Sequence, residues 1–173
     1  MEIFVIIFFI LIVIALLTVA WTSISFAPFV PAKKRDLKRI ARVAKISKGE
    51  YFYDLGCGNG RVVTYMVKRH GARGVGVELA WPIWLWARVK AMFTKGELEI
   101  KLGDLFKLDL SKADVVYFFG MPDTIKLKLK EKMERELKKG ARVVSYVFSV
   151  PGWKEEVKDK PNKKDVSIYL YKR

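Results

Sequence analysis

The stretch Tyr51-Phe52-Tyr53-Asp54-Leu55-Gly56-Cys57-Gly58-Asn59-Gly60-Arg61 joins a short apolar run to an amphipathic one, and this junction restricts the fold more than any other part of the chain. A glycine-rich turn between a strand and a helix leaves room for a ligand against the backbone and aims helix N-terminal amides at it. Which turn it is matters. A dinucleotide fingerprint has glycine or alanine three residues past its second glycine, and Arg61 stands at that position. The Gly-Lys-Ser/Thr ending of a phosphate-binding loop is absent as well. The glycines instead alternate, at Gly56, Gly58 and Gly60. Glu78 follows 18 residues after Gly60, at the end of the next apolar run, where one carboxylate can take both hydroxyls of a ribose. Asp104, in Leu102-Gly103-Asp104-Leu105-Phe106, is placed to accept from an adenine amino group, with Leu105 and Phe106 to cover the ring.

Around this junction, runs of two kinds alternate. Leu37, Ile40, Ala41 and Ala44 keep helical spacing between basic residues. Further helices are expected from Gly60 to Arg69 and from Pro82 to about Thr94, and strands over residues 51–55, 74–78, 98–102, 114–119 and 141–150. Each strand is nearly all apolar, as in a parallel sheet covered on both faces. Residues 125–130 alternate with period two, yet Ile125, Leu129, Met133 and Leu137 form a four-residue stripe, and Glu131/Arg135 and Glu134/Lys138 are i,i+4 pairs, which predicts a helix ending before Gly140. Val166 to Tyr171 reads as an edge or hairpin strand, with Trp153 to Lys158 its weaker partner. The alternation predicts a doubly wound α/β sheet with its ligand beyond the carboxyl ends of the strands.

The N-terminal end is different. No charged side chain lies between Ile3 and Ala32, and the 19 residues from Ile3 to Trp21 would span ~28 Å as a helix, the thickness of a bilayer core. A cleaved signal peptide or a buried core helix are the alternatives; the leader Met1-Glu2 is not positive and Thr18-Val19-Ala20 is a weak cleavage site. The expected division is a transmembrane anchor over residues 1–24, a basic juxtamembrane linker over 25–35 and a ligand-binding domain over 36–173. Trp21 and Phe26 read as interfacial anchors. Lys33, Lys34 and Arg35 open a basic stretch that places the domain on the cytoplasmic side of a single-pass protein. All 33 basic residues lie at or after position 33 against 17 of the 18 acidic ones, so the body carries +16, which suits anionic lipid headgroups. Nucleic acid is the competing polyanion, and the less favoured one. The apolar fraction of 51% excludes disorder of the whole chain, while one cysteine, Cys57, and one histidine, His70, exclude an internal disulfide and a Cys/His zinc cluster. No metal site is expected.

Over about Pro31 to Arg173 the chain resembles the class I S-adenosylmethionine-dependent methyltransferases. The resemblance implies a Rossmann-like, mostly parallel sheet of the seven-stranded type. It also implies S-adenosyl-L-methionine as cofactor, with Asp54, Gly56, Gly58 and Gly60 bordering its methionine moiety, Glu78 holding the ribose, and Asp104 and Leu105 at the adenine. More narrowly, Pro28-Phe29-Val30-Pro31, the turn at 53–58, Leu137 to Ser145 and Pro151-Gly152-Trp153 are similar to the small archaeal protein lysine methyltransferases, and the N-terminal apolar run resembles that of the related membrane-anchored mitochondrial lysine methyltransferases.

The implied chemistry is in-line displacement at a sulfonium methyl group, which asks for alignment and exclusion of water. The segment Tyr117 to Asp123 lacks the Asn-Pro-Pro-Tyr that family members acting on amide nitrogen carry, which favours an acceptor channel bordered by Tyr117, Phe119 and Tyr146. No obligate base is expected; Tyr117 and Asp123 are the candidates. The expected activity is methylation of accessible lysines on a protein at or in the membrane. A lipid or quinone methyltransferase and a non-catalytic cofactor-binding module are the alternatives. A body this basic repels basic substrates, so an acidic lip near Asp104, Asp109 and Asp123, or a lysine in a non-basic segment, is expected. Cys57 reads as a small filler and His70 as a helix-closing cation. Trp81, Trp84 and Trp86 read as packing against sheet and adenine, or else as lipid contacts, and Lys126, Lys128, Lys130 and Lys132 as a solvated face. The number of methyl groups added and the oligomeric state are not written in these patterns.

Overall fold

The computed structural model describes residues 2–25 and 30–173; for Val19 and residues 21–25 it describes the backbone alone. The anchoring roles expected of the Trp21 and Phe26 side chains, and the Pro28-Phe29 pair, therefore lie outside the described residues. Helix α1 (Glu2–Ser25) exposes Ile3 to Ile14, Leu16 and Leu17 along its length and touches α4 (Trp81–Met92). Its side chains are described without a break only over residues 2–18, and among the described residues no helix is long and apolar enough to cross a membrane. The fold thus establishes an exposed apolar helix and not the expected span.

Beyond it, helices α2 (Asp36–Ala44) and α3 (Arg61–His70) alternate with strands β1 (Tyr51–Leu55), β2 (Arg73–Glu78), β3 (Leu98–Leu102), β4 (Val115–Phe118), β5 (Arg142–Tyr146), β6 (Val157–Asp159) and β7 (Ile168–Lys172). The seven strands form one sheet in the order β3-β2-β1-β4-β5-β7-β6. Strands β1 to β5 pair in parallel, and β7 pairs antiparallel with both β5 and β6. Alternate strand residues face opposite layers. Phe52, Val115, Tyr117 and Val144 meet α2, α3 and α4, whereas Leu55, Val116, Phe118 and Val143 meet helix α5 (residues 122–136). The strand order reverses between β1 and β4, the place where sheets wound this way hold their ligand.

The ambiguous period-two segment is helical, with an unforeseen feature. Within α5, residues Ile125–Leu129 form a π turn before the α-helix resumes at Lys130. Four-residue steps overshoot an ordinary turn of ~3.6 residues, and the wider turn keeps Ile125, Leu129 and Met133 on the core, all fully buried. One lysine of the expected solvated face is thereby turned inward: Lys132 is 4% exposed, 2.6 Å from Glu136, whose carboxylate also accepts from the Leu110 amide. Glu131/Arg135 forms at 3.8 Å, while Lys138 pairs instead with Asp114 at 2.6 Å. Strand β5 ends at Tyr146, short of the expected Val150, because Val147 takes φ +79° and bends the chain away.

Candidate active site

The glycines of the turn are required by its path. Gly56, Gly58 and Gly60 have φ of +75°, +54° and +69°, a region that costs other residues ~1–2 kcal/mol each. The turn is seated on the end of β2, where the amides of Gly56 and Cys57 both donate to the Val77 carbonyl. Close packing is needed here: a Cβ on Gly76 would sit 2.9 Å from Cys57 Sγ. Burial pushes the Cys57 thiol well up, in keeping with a filler and against a nucleophile.

Two acids stand at this turn. Glu78 is 8% exposed; its Oε2 accepts from the Gly58 amide and its Oε1 from the Ala80 amide, both at 2.9 Å. A carboxylate offers about four acceptor positions, so each oxygen keeps one for a ribose hydroxyl. Asp54 is 2% exposed and accepts from the Val63 amide at 3.3 Å. Burial, reinforced by the Glu78 charge, pushes the Asp54 carboxyl up to about 7. Neither acid has a salt-bridge partner among the described residues. A buried acidic pair held only by backbone amides suits a cation, and a sulfonium cofactor lying along alternating glycines meets that description. Asp104 is half-buried and caps the turn Leu105–Lys107 through the Phe106 amide, with Leu105 buried beside it. The Lys128 ammonium lies 5.9 Å from the centre of the Phe106 ring.

Across β1, the other sequence-predicted residues form an aromatic floor at the ends of β4 and β5. Tyr117 stacks on Phe52 at 6.2 Å and lies 6.3 Å from Tyr146; Phe119 meets Tyr146 edge-on at 6.3 Å and Phe148 face-on at 6.2 Å. Burial pushes the Tyr117 hydroxyl well above the ordinary phenol range, so it is poorly placed to act as a base at neutral pH. Asp123 is exposed at the start of α5, and among the described residues no hydrogen bond or ion pair joins it to the floor. The acids of the expected lip serve locally: Asp109 takes the amide and hydroxyl of Ser111. Of the tryptophans, Trp84 packs on the core and donates to the Ile100 carbonyl, but Trp86 is 62% exposed and does not join sheet or adenine site.

The sequence reading missed how Tyr146 is held. Its hydroxyl donates to Asp36 Oδ2 at 2.7 Å, and Asp36, 1% exposed, also takes Arg39 at 2.8 Å. Arg39 in turn reaches Asp159 at 2.7 Å and the Val166 carbonyl at 3.0 Å. Burial first, and then this bond, pushes the Tyr146 hydroxyl up, which keeps its proton on the side of Asp36. The strained Val147 follows directly. A lone acid in a basic stretch was the available signal, since charged side chains are rarely fully buried without partners.

With this geometry, residues 54–157 match the ANTKMT methyltransferase domain. A protein-lysine N-methyltransferase of Saccharolobus islandicus (strain REY15A) is 35% identical over 149 residues, covering 83% of this chain and 92% of that protein. A lysine N-methyltransferase of Homo sapiens, named for its action on a component of ATP synthase, is 34% identical over 129 residues, covering 73% of this chain and 54% of that protein. A crystal structure of an RNA methyltransferase from Salinibacter ruber with S-adenosyl-L-homocysteine superposes with a TM-score of 0.78 at 31% identity, covering 83% of this chain and 93% of that one. The chain belongs to the ANTKMT-type methyltransferases, S-adenosylmethionine-dependent enzymes of class I.

Proposed function

We propose that this enzyme methylates the side-chain amine of lysine in protein substrates held at a membrane. The observation that carries the reading is the aromatic floor of Tyr117, Phe119 and Tyr146 beside the buried, cation-free acids Asp54 and Glu78. When bound, the cofactor supplies a methyl group on a positively charged sulfur. The chain's part is to position and to desolvate. Glu78 would hold the ribose, the glycine turn would border the methionine moiety, Asp54 would balance the positive charge, and Asp104 with Leu105 would border the adenine. A lysine amine must lose a proton before it reacts, which costs ~4.6 kcal/mol at neutral pH from its reference pKa. Aromatic walls disfavour the ammonium by burial and exclude water, and the Tyr146 oxygen, whose O–H is engaged in a hydrogen bond to Asp36, is left to accept from the neutral amine. No residue need act as an obligate base. The names of the similar lysine methyltransferases support the substrate class.

The membrane part of the reading rests on α1 and on its neighbour. Leu85, Trp86, Val89 and Met92, with Phe93 just past its end, form an exposed apolar row on the helix that α1 touches. We read residues 1–24 as an anchor, 25–35 as a basic linker against lipid headgroups and 36–173 as the catalytic domain, on the cytoplasmic side. Anchoring would raise the effective concentration of targets in the same bilayer. The test is labelled methyl transfer from S-adenosylmethionine into membrane fractions with wild type and Asp54→Asn, followed by hydrolysis. Methyl-lysine that disappears in the variant is expected; label found only in lipid or in RNA would overturn the substrate.

A further inference from the structure

A cavity of about 230 Å³ opens between α2, α3 and α4 on the outer surface of the helical layer. Its walls are Leu37, Arg61, Thr64, Tyr65, Lys68, Arg69 and Lys90. Four of these are cations and none is an acid. Several basic residues elsewhere meet carboxylates, Arg35, Arg39, Arg42, Arg73, Lys132 and Arg142 among them. Arg61, Lys68, Arg69 and Lys90 meet none among the described residues. Two are held in place by neutral groups, Arg61 by the Ala32 carbonyl at 2.8 Å and Lys90 by the Asn59 carbonyl at 2.9 Å, so their direction is set while their charge is not cancelled. Burial, and then the charges of Arg61 and Lys68, hold the Lys90 ammonium below the ordinary lysine range, as like charges facing one another with no acid between them require.

We propose that this cavity is an anion site for a phosphate group, carried by a lipid headgroup or free in solution. Four converging cations exceed what one carboxylate neutralises, whereas a phosphate offers several oxygens to an arginine fork and to lysines at once. The Thr64 hydroxyl adds a neutral donor. Arg61 is tied to Ala32 and the wall includes Leu37, so the cavity adjoins the segment that follows the apolar helix. The inference rests neither on methyl transfer nor on the anchor.

The test uses the full chain in a non-ionic detergent, without cofactor. Thermal unfolding is followed while inorganic phosphate, glycerol phosphate or a glutamate peptide is titrated at constant ionic strength, and flotation is measured with phosphatidylglycerol and phosphatidylcholine vesicles. Lys68→Gln/Arg69→Gln removes two cavity charges; Lys163→Gln/Lys164→Gln removes two exposed charges elsewhere. Saturable stabilisation by both phosphates is expected, weakened roughly tenfold or more in the cavity variant, about the effect of one lost hydrogen bond to a charged group, and unchanged in the control. A matching selective loss of phosphatidylglycerol flotation in the cavity variant assigns the phosphate to a headgroup; flotation unchanged or lost equally in both variants, with the phosphate response weakened in the cavity variant alone, assigns it to a free phosphate. No saturable response to either phosphate, equal weakening in both variants, or a response to the glutamate peptide alone would overturn the proposal.

Discussion

The two sides of the crevice are built differently. On the β1–β2 side, everything that would face the cofactor is local: a turn of alternating glycines, an acid at each strand end, and backbone amides that hold Glu78 from two and 20 residues away. On the β4–β5 side, the aromatic floor depends on a bond spanning 110 residues, from Tyr146 to Asp36, and on Arg39, which reaches Asp159 across 120 positions of the chain. A common ligand is met by geometry that short segments can encode. A variable acceptor is met by surfaces assembled from distant parts, and these can change without disturbing the first.

The largest effect expected concerns Asp54. Its folded-state value of about 7 lies above its unfolded value of ~3.9, so the folded protein holds an extra proton between those pH values. Stability without cofactor should therefore fall as pH rises from ~4 to ~7, by roughly 4 kcal/mol, and level off above that. Denaturant unfolding across this range checks the sign, and Asp54→Asn should flatten the slope; an unchanged slope would break the cofactor side of the comparison. Next, Gly58→Ala places a Cβ at φ +54°. A strain of ~1–2 kcal/mol should weaken S-adenosylmethionine binding by roughly 5–30-fold while leaving the acceptor KM alone.

The acceptor side should show the opposite split. Asp36→Asn removes the charge shared by Tyr146 and Arg39, and the acceptor KM should rise roughly tenfold with cofactor affinity unchanged. Tyr146→Phe should reproduce the KM effect; equal losses in both constants for these variants would show that the two sides are one unit. The smallest effect is at Val147, a β-branched residue at φ +79° whose amide donates to the Ser167 carbonyl. Val147→Asn, which tolerates that backbone, should stabilise the protein by about 1 kcal/mol in thermal unfolding, with acceptor kinetics altered if the strain aims Tyr146.

The same contrast explains what could be read in advance. The strand-turn-helix junction, Glu78 and Asp104 were legible because their spacing along the chain is itself the geometry. The aromatic residues were legible as candidates, since strand ends at the switch point face the crevice. Asp36 was not, because nothing near it in sequence says which of many basic and aromatic partners will bury it. The end of β5 was misjudged because Val147 is a strong strand former forced into a turn by its surroundings, a tertiary override of propensity. The π turn in α5 was likewise hidden, since a four-residue stripe fits an ordinary helix almost as well. Trp86 escaped the packing reading because a tryptophan's hydrophobicity does not reveal which surface will cover it.

Titration calorimetry of wild type and Glu78→Gln with S-adenosylmethionine and S-adenosylhomocysteine tests the central claim most directly. The account predicts that wild type binds both, that the variant loses roughly tenfold or more for each because both share the ribose, and that only the sulfonium compound releases a proton at neutral pH as Asp54 ionises. Equal binding to wild type and variant, with no proton released in either titration, would contradict it.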